Sequence, residues 1–258
     1  MEQTIVTQAE TITDEMVNAY RQQGFIRIPN LLSHQEVERY REEALAITQR
    51  EENFNQGSPL IFSQYVNIWT RDEIFGQLTT EPRIAAIARR LAGVPLRIWH
   101  DQILIKQPKK STPTEFHQDG PLWPHQNNRN AISAWIALVD VPVERGCMTF
   151  ISGSNHWPEL PPQDLGDKQS LLTIRPESAY ETRVTIPLRA GDCTFHNAYT
   201  AHMANMNSTD VPRIAQVIIY MPADTRYNGH EHPVTDPLKL SIGDPLVGNL
   251  FPAFTGDR

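Results

Sequence analysis

The hydrophobic pattern of this chain changes its period near residue 96, and this change restricts the folds that the chain can adopt. From Leu96 onward, apolar and polar residues alternate in short runs separated by Pro, Gly, Asn and Asp. Alternation with a period of two is typical of β-strands, and many short strands in succession indicate a sandwich or barrel. The predicted strands span residues 96–107, 131–141, 147–152, 183–188, 192–196 and 213–221. We therefore expect a mainly β core.

The residues before this change carry a helical pattern around one short strand. Helices are predicted over residues 13–22, from the Ser33-x-x-Glu36 capping box onward, and over residues 82–91. The segment FIRIPN, residues 25–30, is predicted as a strand that Pro and Asn end. We expect these N-terminal helices to flank the sheet.

We interpret the 258 residues as one domain. Residues 1–94 form a helical support, residues 95–222 the β core, and residues 223–258 a tail with little periodicity. Within the core, residues 152–182 form a long polar excursion that contains proline. Such an excursion is more often a lid or a binding loop than filler.

Composition excludes several classes of partner. The net charge is -7, and the Lys and Arg residues are scattered, so nothing favours nucleic acid or an anionic membrane. No apolar run approaches the roughly 20 residues of a spanning helix. The two cysteines, Cys147 and Cys193, lie in apolar runs, and the first residues do not resemble a secretion signal. We expect a cytoplasmic protein with a small-molecule substrate; the oligomeric state stays open.

The segment FHQDGPLWPH, residues 116–125, places His117 and Asp119 two positions apart. Side chains at i and i+2 point to the same side of an extended strand, so this pair can hold one side of a metal ion. The chain has 9 histidines, and an incidental pair at a strand edge is the alternative.

A second polar segment, residues 191–213, offers His196, His202 and Arg213. Two imidazoles and one carboxylate on one side of an ion suit non-haem Fe(II) that activates oxygen. Arg213 opens an apolar strand and needs an anionic partner, because an unpaired guanidinium in a pocket is costly. A ligand carboxylate is one candidate, and an ion pair with Asp210 or Asp192 is the other.

Taken together, these segments resemble the phytanoyl-CoA dioxygenase branch of the Fe(II)/2-oxoglutarate oxygenases. The resemblance rests on QILIKQP, FHQDGPLWP, SAWIALVDVPVERGCMTFISGSNHW and GDCTFHNAYTAHMANMNSTDVPRIAQVIIYM. It implies a double-stranded β-helix core of the jelly-roll, cupin-like type with flanking N-terminal helices. It also implies Fe(II), with 2-oxoglutarate and O2 as cosubstrates and ascorbate as reductant.

The resemblance assigns roles to individual residues. His117, Asp119 and His202 are the implied metal ligands, His196 is a packing residue, and Arg213 binds 2-oxoglutarate. Further candidates for contact with 2-oxoglutarate are Gln102, Trp135 and Thr149. Candidates for the substrate pocket are Lys106, Trp123 and His125. The pair His230 and His232 is predicted to be solvated, because it lies in the polar tail.

The implied reaction is hydroxylation of an unactivated C–H bond of a small metabolite, with decarboxylation of 2-oxoglutarate to succinate and CO2. Asp119 favours hydroxylation or another outcome of hydrogen abstraction, since related halogenases have a small residue there. A compatible solute or a natural-product intermediate is the favoured substrate, and an acyl-CoA is the alternative within the family. A non-catalytic jelly roll that binds a metabolite, and a zinc hydrolase with the same ligands, are the alternatives outside it.

Overall fold

The structure is a computed structural model that describes residues 12–51 and 61–254. Its helices are α1 (Asp14–Gln23), α2 (His34–Arg50), α3 (Glu73–Thr79), α4 (Pro82–Ala92) and α5 (Ser170–Ile174). Its strands are β1 (Phe25–Ile28), β2 (Ser63–Val66), β3 (Leu96–Lys106), β4 (Thr114–His117), β5 (His125–Gln126), β6 (Ile132–Ala137), β7 (Met148–Ile151), β8 (Arg183–Ile186), β9 (Cys193–Asn197), β10 (His202–Ala204), β11 (Arg213–Pro222), β12 (Arg226–Tyr227) and β13 (Ala253–Phe254). The first eleven residues, on which the expectation of no secretion signal rests, lie outside the described residues.

Helices α1, α2 and α4 begin where the sequence predicts, and α1 and α4 end within one residue of the prediction. The Ser33 side chain accepts from the Glu36 backbone N–H at 3.3 Å, and the Glu36 carboxylate accepts from the Ser33 N–H at 2.7 Å, which completes the capping box. Gly24 ends α1 with a φ of 87°. A Cβ at that position would lie 2.3 Å from Thr200 Oγ1, so both the backbone conformation and the close packing require glycine.

Two antiparallel sheets form the core. The large sheet has the order β1-β9-β6-β11-β3-β13, with β2 also paired to β3, and the small sheet has the order β4-β10-β7-β8. This arrangement confirms the predicted double-stranded β-helix with helices on one side. Strands β5 and β12 form a separate two-stranded pair.

Strand β11 shows how the large sheet is buried on both faces. Ile214 and Ile218 pack into the cluster that contains the helices, whereas Val217 and Ile219 pack into the cluster between the two sheets. Side chains alternate between faces along a strand, so a strand covered on both sides is apolar throughout. The α-helices thus cover one face of the large sheet, and the other face is free to form a cavity with the small sheet.

The structure adds elements that the sequence analysis did not predict. These are α3, α5, β2, β4, β5, β10, β12 and β13. Most are short, and β4 and β10 consist largely of polar or small residues, so neither has the apolar alternation that predicts a strand. In the part of the chain that the structure describes, no helix is long and apolar enough to cross a membrane.

Candidate active site

A cavity opens to solvent between the two sheets. Side chains from β3 and β11 of the large sheet and from β4 and β10 of the small sheet line it. Those predicted from sequence that line it are His117, Asp119, His202, Arg213, Gln102, Trp135 and Trp123. The cavity therefore joins two sequence segments that lie some eighty residues apart.

His117, Asp119 and His202 come together at the small sheet. His117 on β4 and His202 on β10 are directly opposite each other in the antiparallel register. One nitrogen of each histidine and one carboxylate oxygen of Asp119 lie within 4.8 Å of one another, which is close enough to hold a metal ion. Among the described residues, this is the one group of three or more such side chains with that geometry.

Backbone carbonyls fix the orientation of both imidazoles. Nδ1 of His117 donates to the Glu115 carbonyl at 2.7 Å, and Nδ1 of His202 donates to the Thr200 carbonyl at 2.9 Å. A neutral imidazole that donates through Nδ1 has its lone pair on Nε2. Both Nε2 atoms are therefore available as ligands. A hydrogen bond from the other ring nitrogen to a carbonyl is typical of metal-bound histidine.

The turn after His117 is held by Gln118 and Gly120. The Gln118 N–H donates to the Gln163 side chain at 2.7 Å, and its amide nitrogen donates to the Tyr199 carbonyl at 2.6 Å. A Cβ on Gly120 would lie 2.7 Å from the Tyr199 ring, so only glycine allows this approach. The polar excursion that contains Gln163 thus supports the His-x-Asp segment directly.

Asp119 lies among three histidines. Its carboxylate oxygens are 3.4 Å from Nε2 of His117, 3.6 Å from Nε2 of His196 and 4.0 Å from Nε2 of His202. Burial raises the pKa of Asp119, but the nearby imidazoles outweigh burial and hold that pKa well below its usual range. Burial lowers the pKa of His202 to about 3. Asp119 is ionised and His202 is neutral, as metal ligands must be.

His196 differs from His202 in its hydrogen bonding. Nδ1 of His196 is buried and has no hydrogen-bond partner among the described residues, whereas Nδ1 of His202 is fixed by a carbonyl. The ring of His196 packs 4.6 Å from that of His202, centroid to centroid. This contrast supports the sequence-based choice of His202 as the ligand.

Arg213 is almost fully buried, and its Nε has no hydrogen-bond partner within the described ranges. Both ion pairs considered from sequence are absent there, because Asp192 binds Arg27 at 2.6 Å and Asp210 pairs with Lys109. The guanidinium lies 5.3 Å from the centre of the Trp135 ring. Burial lowers the pKa of Arg213 to about 9. A buried cation without an anionic neighbour in a cavity matches the carboxylate of a ligand.

Gln102 also faces this cavity, from β3. Its side-chain oxygen accepts from the Gln64 amide, so its own NH2 group remains available as a donor. A hydrogen-bond donor that lines the same cavity as a buried guanidinium again favours an anionic ligand.

Lys106 differs from its prediction as a substrate-pocket residue. It does not line the cavity; its amine donates to the Ile61 carbonyl at 3.0 Å and to the Thr112 carbonyl at 2.7 Å. The period of two places Lys106 on the same face as Gln102, but its long side chain extends to the carbonyls of neighbouring loops. Lys106 therefore joins two loops at the end of β3.

Thr149 and His125 also lie away from the described cavity wall. The Thr149 hydroxyl bonds the Thr185 hydroxyl at 2.8 Å, while its neighbour Met148 lines the cavity, as alternation along a strand requires. His125 is buried with its ring 4.3 Å from that of Trp99, centroid to centroid. Both residues support the wall from behind it.

Two histidines that the sequence analysis did not assign to the site line the cavity. His100 lies on β3, two positions before Gln102, and its place on that face follows from the period of two. His232 is buried, not solvated as predicted, whereas its neighbour His230 is exposed. The tail folds back over the core through β13, which pairs with β3, and this long-range contact gave no signal in the polar sequence around His232.

The family model for phytanoyl-CoA dioxygenase (PhyH) matches residues 20–215, which span both halves of the triad and Arg213. The chain belongs to the phytanoyl-CoA dioxygenase family. A chain of this family with a His-x-Asp and distal histidine triad is a non-haem iron, 2-oxoglutarate-dependent oxygenase. The predicted family and type of enzyme are thus confirmed.

Solved structures similar to this chain include two from nogalamycin biosynthesis. The α-ketoglutarate-dependent carbocyclase SnoK is 37% identical, with a TM-score of 0.88 over 96% of this chain and 98% of that chain. The epimerase SnoN, solved with Fe3+, α-ketoglutarate and nogalamycin RO, is 39% identical, with a TM-score of 0.83 over 93% of this chain and 97% of that chain.

A curated relative is phytanoyl-CoA dioxygenase domain-containing protein 1 from Mus musculus. It is 27% identical over 157 residues, which cover 59% of this chain and 54% of the mouse protein. The match thus spans about half the length of that relative.

Proposed function

We propose that His117, Asp119 and His202 hold one Fe(II) ion, with Nε2 of each histidine and the Asp119 carboxylate as ligands. One observation carries this proposal: the triad shares its cavity with the buried Arg213, which has no ion pair with any residue that the structure describes. A zinc hydrolase would need the same three ligands but would leave that guanidinium without a partner. Two imidazoles and one carboxylate also match the ligand set of oxygen-activating Fe(II) sites.

Arg213 and Gln102 bind 2-oxoglutarate in this proposal. The guanidinium holds the carboxylate far from the metal, and Gln102 donates a further hydrogen bond. Trp135 packs beside the guanidinium and limits its movement. When bound, Fe(II) and 2-oxoglutarate would supply electrons that activate O2, the oxidant that removes a hydrogen atom from a substrate C–H bond, with succinate and CO2 as products of 2-oxoglutarate. Ascorbate remains the expected reductant in an assay.

The protein then has to orient the substrate and exclude water. Trp123 and Leu122 follow the Asp119 turn and line the cavity, so they lie beside any molecule bound close to the triad. Leu165 brings the polar excursion to the same cavity. These side chains place one C–H bond near the metal and keep solvent away from it.

We propose a natural-product intermediate as the substrate. The likeness to SnoK and SnoN, at 37% and 39% identity over nearly the whole chain, supports this choice over a compatible solute or an acyl-CoA. Hydroxylation, the outcome implied by Asp119, is one possible result of C–H cleavage. Those two relatives are a carbocyclase and an epimerase, so ring formation and inversion are the others.

A substrate screen with mass detection separates these outcomes. The enzyme is incubated with Fe(II), 2-oxoglutarate, ascorbate and O2 against polycyclic natural-product intermediates, compatible solutes and acyl-CoAs, and succinate release is measured in parallel. Hydroxylation adds one oxygen, ring formation removes two hydrogens, and inversion leaves the mass unchanged but shifts retention on a chiral column. Stimulation of succinate release by acyl-CoAs alone would overturn the natural-product proposal. A non-catalytic binding protein would release no succinate with any compound.

A further inference from the structure

Two histidines that line the cavity, His100 and His232, have no role in the proposed metal and 2-oxoglutarate site. On β11, Arg213 lies opposite Lys106 of β3, whereas Ile219 lies opposite His100. Six residues along a strand correspond to about 20 Å, so the backbone of His100 is far from that of Arg213, and Gln102 lies between them on the same face of β3. His232 from the tail lies beside His100, with the ring centroids 5.6 Å apart.

Backbone contacts give the two imidazoles opposite hydrogen-bonding roles. Nδ1 of His100 donates to the Asp101 carbonyl at 3.1 Å, because a carbonyl can only accept. Nδ1 of His232 accepts from the Val234 N–H at 3.2 Å, because a backbone N–H can only donate. In the neutral rings, Nε2 of His100 is therefore an acceptor and Nε2 of His232 is a donor.

Both rings are neutral at physiological pH. Burial is the main cause that lowers the pKa of His100, to about 3, and the pKa of His232, to about 4. The neighbouring cavity wall is apolar, with Leu122, Trp123 and Ile219. Of the described residues that line the cavity, only Asp119 and Arg213 carry a charge, and both have a place in the proposed metal and 2-oxoglutarate site.

A neutral donor and a neutral acceptor side by side are complementary to a hydroxyl group, which both donates and accepts. A hydroxyl oxygen about 2.8 Å from each of two nitrogens can bridge nitrogens up to about 5.6 Å apart. The centroids of the two imidazole rings are separated by a similar distance, 5.6 Å. We propose that His100 and His232 bind one hydroxyl group of a neutral, mainly apolar substrate and thereby select the C–H bond that faces the triad. This inference rests on the proposed function, since it names the substrate class of the same cavity.

Equilibrium dialysis of the full chain against three probes tests the pair. The probes are 1-naphthol, 1-methoxynaphthalene and naphthalene, measured without oxygen in the presence of Fe(II) and 2-oxoglutarate. All three share the same ring system. 1-Naphthol offers a hydrogen-bond donor and an acceptor, 1-methoxynaphthalene offers an acceptor alone, and naphthalene offers neither. We expect 1-naphthol to bind about tenfold more tightly than naphthalene, and 1-methoxynaphthalene to lie between them, because each net hydrogen bond strengthens binding severalfold.

Variants show whether the two histidines cause the preference. His100→Phe and His232→Phe keep a flat ring and remove the nitrogens, so we expect the preference for 1-naphthol to fall to about twofold or less while naphthalene binding is unchanged. His232→Gln retains a donor and should restore part of the preference. His230→Phe is the matched control in the same tail, because His230 is exposed, and it should behave like the wild type.

Two results would overturn the proposal that His100 and His232 bind a hydroxyl group. One is equal binding of all three probes by the wild-type chain, which needs no variant to be informative. The other is a preference for 1-naphthol that survives in both phenylalanine variants, which would assign the hydroxyl to the metal. The visible absorption band of the Fe(II) and 2-oxoglutarate complex, recorded in the same samples, tests the proposed function separately. If the absorption band is missing but 1-naphthol still binds more tightly than naphthalene, the oxygenase proposal is refuted and the proposal for His100 and His232 is retained.

Discussion

The two ends of the cavity use different chemistry. At the charged end, defined by Asp119 and Arg213, ionic groups are buried where a cation and a dianion would neutralise them. At the neutral end, defined by His100 and His232, burial keeps both imidazoles uncharged among apolar side chains. Under the proposed function, the charged end binds Fe(II) and 2-oxoglutarate, which every reaction cycle uses, and the neutral end discriminates between substrates.

The two ends are also built from different parts of the chain. Strands β4, β10 and β11 of the double-stranded β-helix, together with the turn after β4 that carries Asp119, supply the charged end. The neutral end combines β3 with the turn after the triad and the C-terminal tail. Loops and tails vary more readily than core strands, so one scaffold can keep its cofactor chemistry while its substrate changes.

The largest effect should come from removing a metal ligand at the charged end. His202→Ala removes one of three ligands, and we expect Fe(II)-dependent succinate release to fall by more than about 100-fold, since loss of a hydrogen bond behind a ligand already costs about 10- to 100-fold. His196→Ala removes a neighbour of Asp119 and should cost less. Succinate assays on both variants check this order. A greater loss in His196→Ala than in His202→Ala would exchange their roles.

Arg213→Met should give the next largest effect. It removes the cation proposed for 2-oxoglutarate, and we expect the dissociation constant for 2-oxoglutarate to rise about 100-fold. The ligand-free variant should melt no lower than the wild type, because an unpaired buried guanidinium is unfavourable. Thermal melts with and without 2-oxoglutarate measure both quantities. Equal stabilisation of the two proteins by 2-oxoglutarate would contradict the assignment.

The charged end was largely predictable from sequence, and the neutral end was not. His117 and Asp119 form a local pair, and Arg213 begins a long apolar strand, so short-range patterns identify all three. His202 lies on a strand of only three residues, and its role followed from family resemblance. His232 lies in a polar tail whose burial depends on contacts with β3. The periodicity of the local sequence does not predict such long-range contacts.

Side-chain length explains the other differences from prediction. Lys106 occupies the predicted strand face, yet its amine reaches the carbonyls of Ile61 and Thr112, because a buried amine must find hydrogen-bond partners. A periodic pattern predicts the direction in which the Cβ atom points, but it does not predict where the amine at the end of a long lysine side chain lies.

Lys106→Met should have a moderate effect on stability and little effect on the ligand. The buried Ile61 carbonyl and the part-buried Thr112 carbonyl lose their donor, so we expect the free energy of unfolding to fall by about 1–3 kcal/mol. The affinity for 2-oxoglutarate should change by less than about threefold, in contrast to Arg213→Met. Urea unfolding measures the change in stability, and titration with 2-oxoglutarate measures the change in affinity. A loss of affinity as large as that of Arg213→Met would extend the charged end to Lys106.

The smallest effect is a pH dependence that the same variant should remove. Burial, with a contribution from Arg213, lowers the pKa of Lys106 from 10.5 to about 6. Between these values the unfolded chain holds more protons than the folded one, so the stability contributed by Lys106 rises with pH. We expect the wild type to gain up to about 1 kcal/mol per pH unit over Lys106→Met between about pH 6.5 and 9. Parallel pH profiles for the two proteins would show that the amine stays charged in the fold.

Anaerobic titration of the wild-type chain with Fe(II) and then 2-oxoglutarate tests the charged end most directly. We expect a weak visible absorption band that appears only when both are present, saturates at one equivalent of Fe(II), is absent in His202→Ala, and needs far more 2-oxoglutarate in Arg213→Met. A band of equal strength in His202→Ala, or no band in the wild type, would contradict the assignment of these residues to the metal and 2-oxoglutarate.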